Sequence, residues 1–207
     1  MRQHSKVLIL LALLAVTAGA AQAQWSVTIT NATQNQIISP PIVVSHSSAV
    51  DLWEVGEPAS DELAALAEDA DASGLLALLD ATPGVADVAT AGGVLLPGDS
   101  VTLRIDRGSR LSALGMLVTT NDAFFGLDSA RVRGGSGTFY APAYDAGSER
   151  NTQRCAQIPG PPCGNAGVRS TARAEGFVHI SPGIVKRGSL KEADFGWDNP
   201  VVKITVD

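Results

Sequence analysis

Short segments that alternate apolar and polar residues recur along this 207-residue chain, separated by turn residues. Residues 25–30 (WSVTIT) and 100–106 (SVTLRID) show the alternation most clearly. A period of two places successive side chains on opposite faces of a β-strand. About eight strands are predicted, with turns every 8–12 residues, and this spacing is typical of antiparallel β-sandwiches. The segments with strand character are 25–30, 37–44, 50–55, 100–106, 111–118, 123–133, 138–140, 175–180 and 201–206. The predicted fold class is therefore mainly β, an antiparallel β-sandwich.

Residues 60–80 interrupt this pattern with helical periodicity. Ser60 is placed to cap a helix in which Leu63 and Leu66 recur at helical spacing, and a second short helix follows Gly74. The segment is rich in alanine and offers few large side chains. We therefore predict a helical insert that lies at the periphery of the sandwich and contributes less to stability than the strands. Its acidic residues are predicted to form a solvated face; they are Glu68, Asp69, Asp71 and Asp80.

The first 23 residues have the layout of a secretory signal peptide. Arg2 and Lys6 form a basic start, residues 7–16 an apolar core, and residues 21–23 (AQA) a small-residue cleavage site. The alternative is a membrane anchor, but the apolar run is shorter than the ~20 residues that a spanning helix needs. The predicted organisation is a signal peptide over 1–23 and one domain over 24–207. The predicted location is secreted or periplasmic, with no membrane span.

The charge of the chain limits its partners. The formal net charge is −6 at pH 7, and the predicted signal peptide carries basic residues but no acidic ones. An acidic exported domain has no electrostatic reason to bind nucleic acid or an anionic membrane surface. The expected partner is an extracellular or cell-surface protein or glycan.

The chain contains two cysteines, Cys155 and Cys163, separated by seven residues. In an oxidising compartment an even pair at this spacing indicates a disulfide. A metal site is the alternative, but the chain has no other thiol, and thiolate zinc sites usually use more than two. A disulfide between Cys155 and Cys163 is the prediction.

Acidic residues bracket the stretch 119–149. Asp122 follows an apolar strand, and Asp145 and Glu149 lie in a later loop. Two loops at strand ends that offer carboxylates can converge on one Ca²⁺ ion, which takes six to eight oxygen ligands. The alternative is that these carboxylates only cap turns by accepting backbone N–H groups. The metal ligands predicted are Asp122, Asp145 and Glu149, with Ca²⁺ as the cation.

Several segments resemble the spondin N-terminal domain in its bacterial form, and the resemblance covers residues 25–206. They are 120–128 (TNDAFFGLD), 144–149 (YDAGSE), 158–164 (IPGPPCG) and 175–183 (EGFVHISPG). The resemblance implies a C2-like sandwich with a calcium site. Asp122 and Asp145 match aspartates of the family, and Glu149 stands where the family commonly has another acid. The helical segment 60–80 is an addition to the pattern of animal spondins.

Two histidines of the predicted domain, His46 and His179, each stand beside a serine near a strand end. With a carboxylate they would suit a transition metal, and with Ser47 or Ser181 an esterase-like pair. No Gly-x-Ser-x-Gly segment is present, so a hydrogen-bonded structural role is the preferred interpretation. Trp197 lies in an acidic turn and is predicted to pack in the core, with contact to a sugar or protein as the alternative.

These features lead to two functional hypotheses. The first is a non-enzymatic, calcium-binding extracellular module for binding or adhesion, because sandwiches usually carry their function in loops at strand ends. The second is a hydrolase in which the same carboxylates hold a metal that activates water. The second needs an open coordination position, and a sequence does not reveal one.

Overall fold

The computed structural model describes residues 23–185 and 188–207. The signal peptide predicted over residues 1–23 lies, apart from Ala23, outside these described residues. The described part contains ten strands: β1 (Gln24–Asn31), β2 (Ile42–His46), β3 (Val85–Thr90), β4 (Ser100–Asp106), β5 (Arg110–Met116), β6 (Ala123–Ala130), β7 (Gly137–Ala141), β8 (Ala143–Asp145), β9 (His179–Ile180) and β10 (Val202–Val206). Its α-helices are α1 (Asp61–Asp69), α2 (Ser73–Ala81) and the one-turn α3 (Glu192–Phe195).

The strands form two antiparallel sheets. One has four strands in the order β4-β1-β10-β7, and the other has six in the order β3-β2-β5-β6-β8-β9. In the first sheet, Val27 lies opposite Val206 and Ile29 opposite Ile204. Alternate residues of β1 are fully buried, as a period of two requires of a strand with one face on a core. The predicted antiparallel β-sandwich is confirmed, with ten strands where about eight were expected.

The core between the two sheets is built from the inward faces of both. Val27, Ile29 and Ile204 come from the four-stranded sheet, and Val43 and Phe125 come from the six-stranded sheet. All five side chains are fully buried. Trp197 packs against this core while remaining partly exposed, which agrees with its predicted packing role.

The helical insert covers the outer face of the six-stranded sheet. Leu63 and Leu66 of α1 and Leu75 and Leu79 of α2 are buried in one cluster with outward-facing residues of the sheet, which include Ile42, Val44, Leu114 and Phe124. Ser60 caps α1 as predicted, because its Oγ accepts the Leu63 N–H at 3.2 Å. The predicted peripheral position of the insert is wrong. The sheet is apolar on both faces, and the helices remove the second face from water.

The strand predictions fail where tertiary packing decides the conformation. Residues 50–55, predicted as a strand, form no strand, and the Trp53 ring instead packs edge-on against Phe124 at 5.3 Å. The strands β3 and β8 were not predicted. β3 contains alanine and aspartate, which have low strand propensity, and β8 spans only three residues. The strand predicted over 123–133 ends at Ala130.

Cys155 and Cys163 form a disulfide, as predicted. The bond closes a loop that packs Ile158 against Ile184 and Leu190 in a small third cluster. Closing a loop of this length stabilises the fold by about 2–3 kcal/mol in the chain-entropy model.

Across the described residues, every helix is too short or too polar to cross a bilayer.

Candidate metal centre

Three strands bring ionisable side chains to one end of the six-stranded sheet. Asp122 immediately precedes β6, Asp145 is the last residue of β8, and His179 is the first residue of β9. In the antiparallel register, Ala123 lies opposite Asp145, and Asp145 lies opposite His179. The sheet pairing therefore places residues that are far apart in sequence side by side.

Asp145, Glu175 and His179 form a group with the dimensions of a metal site. Each offers one ligand atom, and these atoms all lie within 4.8 Å of one another. Two oxygen ligands on opposite sides of a Ca²⁺ ion are separated by up to about 5 Å, since each lies at 2.3–2.6 Å from the metal. Asp145 is buried, His179 partly exposed and Glu175 exposed. The group is therefore buried at Asp145 and accessible to solvent at Glu175.

The ring of His179 is oriented for metal binding. Its Nδ1 lies 3.0 Å from the carbonyl oxygen of Ile180, and a carbonyl only accepts, so Nδ1 carries the hydrogen. In the neutral ring, Nε2 then presents its lone pair. This nitrogen has no hydrogen-bond partner and lies 3.4 Å from Asp145 Oδ1. Donation from the second ring nitrogen to a backbone carbonyl is the usual arrangement of a metal-binding histidine.

The Asp145 carboxylate is held by its own loop. Its Oδ1 accepts the Gly147 N–H at 2.9 Å, and its Oδ2 accepts a hydrogen bond from Asn151. Gly147 has a φ of +66°, and a Cβ there would lie 2.2 Å from the Phe177 carbonyl oxygen. Only glycine allows the loop after β8 to approach so closely to the segment that carries Glu175.

Asp122 is fully buried beside this group and is only half satisfied. Its Oδ2 accepts the Glu149 N–H at 2.9 Å and the Ser148 hydroxyl at 3.4 Å. Its Oδ1 is buried and has no hydrogen-bond partner. An unpartnered buried carboxylate oxygen costs free energy, and nearly all such groups in folded proteins find a partner.

Burial shifts the proton affinity of the acidic side chains. Burial raises the pKa of Asp122 well above its ordinary value, and the neighbouring charge of Asp145 adds to this effect. Burial also raises the pKa of Asp145, against the lowering effect of its hydrogen bond from Asn151. The pKa of Glu149 is raised by burial to about 7. Burial is therefore the main reason that the charged forms are disfavoured, and repulsion between Asp122 and Asp145 adds to it. A divalent cation would offset both effects.

Glu149 lies near the group but its carboxylate faces other partners. Its Oε1 accepts the Ser170 N–H at 2.7 Å, and its Oε2 accepts from Asn121 at 3.4 Å. Its backbone N–H, by contrast, donates a hydrogen bond to Asp122. This arrangement makes Glu149 a support of the loops. The ligand roles predicted for Asp122, Asp145 and Glu149 stay predictions.

The segment that carries Ser170 is anchored to helix α1. Arg169 contacts Glu68 at 2.7 Å and Asp69 at 3.2 Å. Glu68 is buried, so the prediction that it belongs to a solvated face is wrong. The reason is that a distant loop crosses the end of α1 and supplies a guanidinium partner.

Glu175 was not predicted as part of the site, and His179 was preferred as a structural residue. Both lie in the 175–183 segment that carries part of the spondin resemblance, which was the signal available in the sequence. The esterase-like alternative for His46 is not realised: the Nδ1 of His46 lies 2.7 Å from the carbonyl oxygen of Ser47, and the Ser47 hydroxyl accepts the Ala49 N–H.

No protein-family model matches the chain, and no curated protein matches it at a significant level. The resemblance to spondin N-terminal domains therefore stays a prediction from the segments quoted above.

Proposed function

We propose that this chain is an exported, non-enzymatic β-sandwich module of the spondin type, which binds a divalent cation among Asp122, Asp145, Glu175 and His179. The observation that carries the proposal is the buried, unpartnered Oδ1 of Asp122. Burial is the main cause that raises the proton affinity of this carboxylate, and the charge of Asp145 adds to it. A cation supplies the missing partner and offsets the repulsion.

Calcium is the first candidate cation. Asp122, Asp145 and Glu175 contribute hard carboxylate oxygens from three different segments, and Ca²⁺ accepts irregular oxygen-rich coordination. Extracellular modules bind Ca²⁺ with dissociation constants of about 10⁻⁴–10⁻³ M, so millimolar calcium is the expected working range.

His179 favours a second candidate, Mn²⁺ or Zn²⁺. An imidazole nitrogen is a common ligand of transition metals, whereas calcium prefers oxygen. The Nε2 of His179 lies 3.4 Å from Asp145 Oδ1. The contribution of His179 to affinity therefore distinguishes the two kinds of cation.

The cation would order a surface that contacts a partner. Phe177 is 43% exposed, and its ring lies 5.4 Å from the ring of His179. Exposed aromatic side chains are enriched where proteins bind one another and where they bind glycans. We propose that the loops around the cation bind an extracellular protein or glycan, because sandwiches usually carry their function in loops at strand ends.

The test is thermal unfolding of the exported domain in chelator and in millimolar CaCl₂, MnCl₂ or ZnCl₂. At a hundredfold excess over the dissociation constant, a bound cation stabilises the fold by about 2.7 kcal/mol. For a domain of this size the midpoint then rises by roughly 5–10 °C. Asp145→Asn is expected to remove the response, and a wild-type midpoint that ignores all three cations would refute the site.

Matched variants locate the ligands. Asp80→Asn removes an exposed acid from α2 and should leave the full response. Glu149→Gln should also keep a response, because its carboxylate faces Ser170. His179→Gln is expected to weaken Mn²⁺ or Zn²⁺ binding by more than tenfold if the nitrogen is a ligand. If His179→Gln instead lowers the affinity for all three cations by the same small factor, His179 is not a ligand. Calcium bound by oxygen atoms is then the better assignment.

The open side of the group keeps the hydrolase hypothesis as an alternative. Glu175 is exposed and His179 partly exposed, which leaves room for a metal-bound water. A cleft of about 720 Å³ exists elsewhere, lined by residues that include Ala32 and Trp197, and none of the four proposed ligands lines it. Cation-loaded protein is expected not to hydrolyse aryl ester or phosphoester substrates. Turnover that is lost in Asp145→Asn would favour the hydrolase.

A further inference from the structure

A second buried polar group lies in the six-stranded sheet. His46, the last residue of β2, is fully buried. Its Nδ1 lies 2.7 Å from the Ser47 carbonyl oxygen, and its Nε2 lies 2.8 Å from Ser112 Oγ. Ser112 Oγ lies 2.8 Å from Asp128 Oδ1 and accepts the Ser129 N–H at 2.8 Å. The three side chains form one continuous chain of hydrogen bonds.

The hydrogen atoms in these linked hydrogen bonds can be counted. The Ser47 carbonyl only accepts, so Nδ1 of His46 must carry a hydrogen. Ser112 has a single hydroxyl hydrogen, which serves either His46 or Asp128 but not both. If the Ser112 hydroxyl donates to Asp128, the Nε2 of His46 must donate to Ser112, and the ring is an imidazolium. If it serves His46, the Asp128 carboxyl must donate to Ser112 and is protonated.

Both arrangements need the same number of protons. We propose that His46, Ser112 and Asp128 hold one proton more than a neutral imidazole and a carboxylate would, and that this proton locks the local structure of the sheet. Without this extra proton, one of the contacts among His46, Ser112 and Asp128 has no hydrogen between its two heavy atoms. That contact then becomes repulsive. The folded protein therefore binds one proton that the unfolded chain releases above about pH 6.5, where a solvated histidine is neutral.

The proton holds two irregular features together. The register between β5 and β6 shifts at Ser112, and Ser129 adopts a left-handed conformation with a φ of +51°. The Asp128 carboxylate also accepts the Leu52 N–H, which ties the loop after β2 to β6. Loss of the proton is therefore expected to loosen the bulge and this loop together.

The group is separate from the candidate metal centre. Asp128 lies five residues beyond Ala123 along β6, which corresponds to about 16 Å of strand. Burial raises the pKa of Asp128, and the charge of the nearby Asp51 adds to this, so a retained proton is physically reasonable. The other titratable neighbours are Arg110, opposite His46 on β5, and Tyr144, whose pKa is raised mainly by burial and also by Asp128.

The first test observes the proton directly by NMR of isotope-labelled protein at pH 7.5. The expected spectrum shows either a doubly protonated His46 ring or a ring protonated at Nδ1 together with a protonated Asp128 carboxyl. A neutral ring beside an ionised Asp128 would overturn the proposal, as would a ring protonated only at Nε2.

The second test uses Asp128→Asn, whose amide can donate to Ser112 and whose carbonyl can accept from Leu52 without an extra proton. Between pH 6.5 and 8.5, the unfolding constant of the wild type is expected to rise up to tenfold per pH unit relative to the variant. Both proteins keep the acidic metal centre, so its contribution cancels. Asp51→Asn serves as the control and should retain most of the wild-type slope. Parallel slopes for wild type and Asp128→Asn would overturn the proposal.

Discussion

Replacing Leu66 with alanine is expected to lower the free energy of unfolding by about 3 kcal/mol, because large-to-small changes at fully buried sites remove both transfer free energy and packing. Leu66 is 1% exposed and belongs to the cluster between α1 and the sheet. Leu78 of α2 is 44% exposed, so Leu78→Ala is expected to cost less than about 1 kcal/mol. Urea unfolding of the three proteins measures the difference.

The same packing predicts the effect of removing the helices. Substituting a Gly/Ser linker for residues 60–80 would expose Ile42, Val44 and Phe124 on the outer face of the sheet. We expect this variant to lose cooperative unfolding, whereas a peripheral insert would have been dispensable. A variant that unfolds cooperatively near the wild-type midpoint, or a Leu66→Ala cost no larger than that of Leu78→Ala, would contradict the integral role of the helices.

The sequence predicted the helices but not their place in the fold. Helical periodicity at Leu63 and Leu66 and the cap at Ser60 depend on local chemistry, which a single sequence displays. The burial of these leucines depends on a sheet whose second face is also apolar. In β2, all five residues are buried, so this strand shows no alternation from which one covered face could be inferred.

The sequence likewise indicated some residues of the candidate site and not others. Asp122 was selected because it follows an apolar run, and Asp145 because it lies in a later loop of the same short stretch. His179 reaches them only because the two-residue strand β9 pairs with β8 across more than thirty residues of loop. Such a short pairing leaves no periodicity in the sequence. Glu149 contacts Asp122 through its backbone N–H, so the predicted ligand role of its carboxylate stays a prediction.

Asp122→Asn is expected to make the cation-free protein more stable at pH 8 and to abolish its response to cations. The amide keeps an oxygen for the Glu149 N–H, and its NH₂ group can donate to the carboxylates that the unpartnered Oδ1 now repels. Relieving a buried unsatisfied charged atom is worth about 1–3 kcal/mol. The midpoint in chelator should therefore rise by about 5 °C, while the further rise on adding cation disappears.

The pH dependence distinguishes this explanation from a general change in packing. The folded pKa of Asp122 is raised above its unfolded value, so the folded state binds the proton more tightly. The wild type in chelator is then most stable while the carboxyl is protonated, and it loses stability as the pH rises above about 4, the ordinary pKa of aspartate. Asparagine does not titrate. The wild type and Asp122→Asn should therefore have similar midpoints near pH 4, and their midpoints should diverge toward pH 8. Thermal unfolding in chelator across this pH range measures the difference. A variant that is less stable than the wild type at pH 8 would mean that the Asp122 carboxylate is fully satisfied without a cation, and the site would lose its main support.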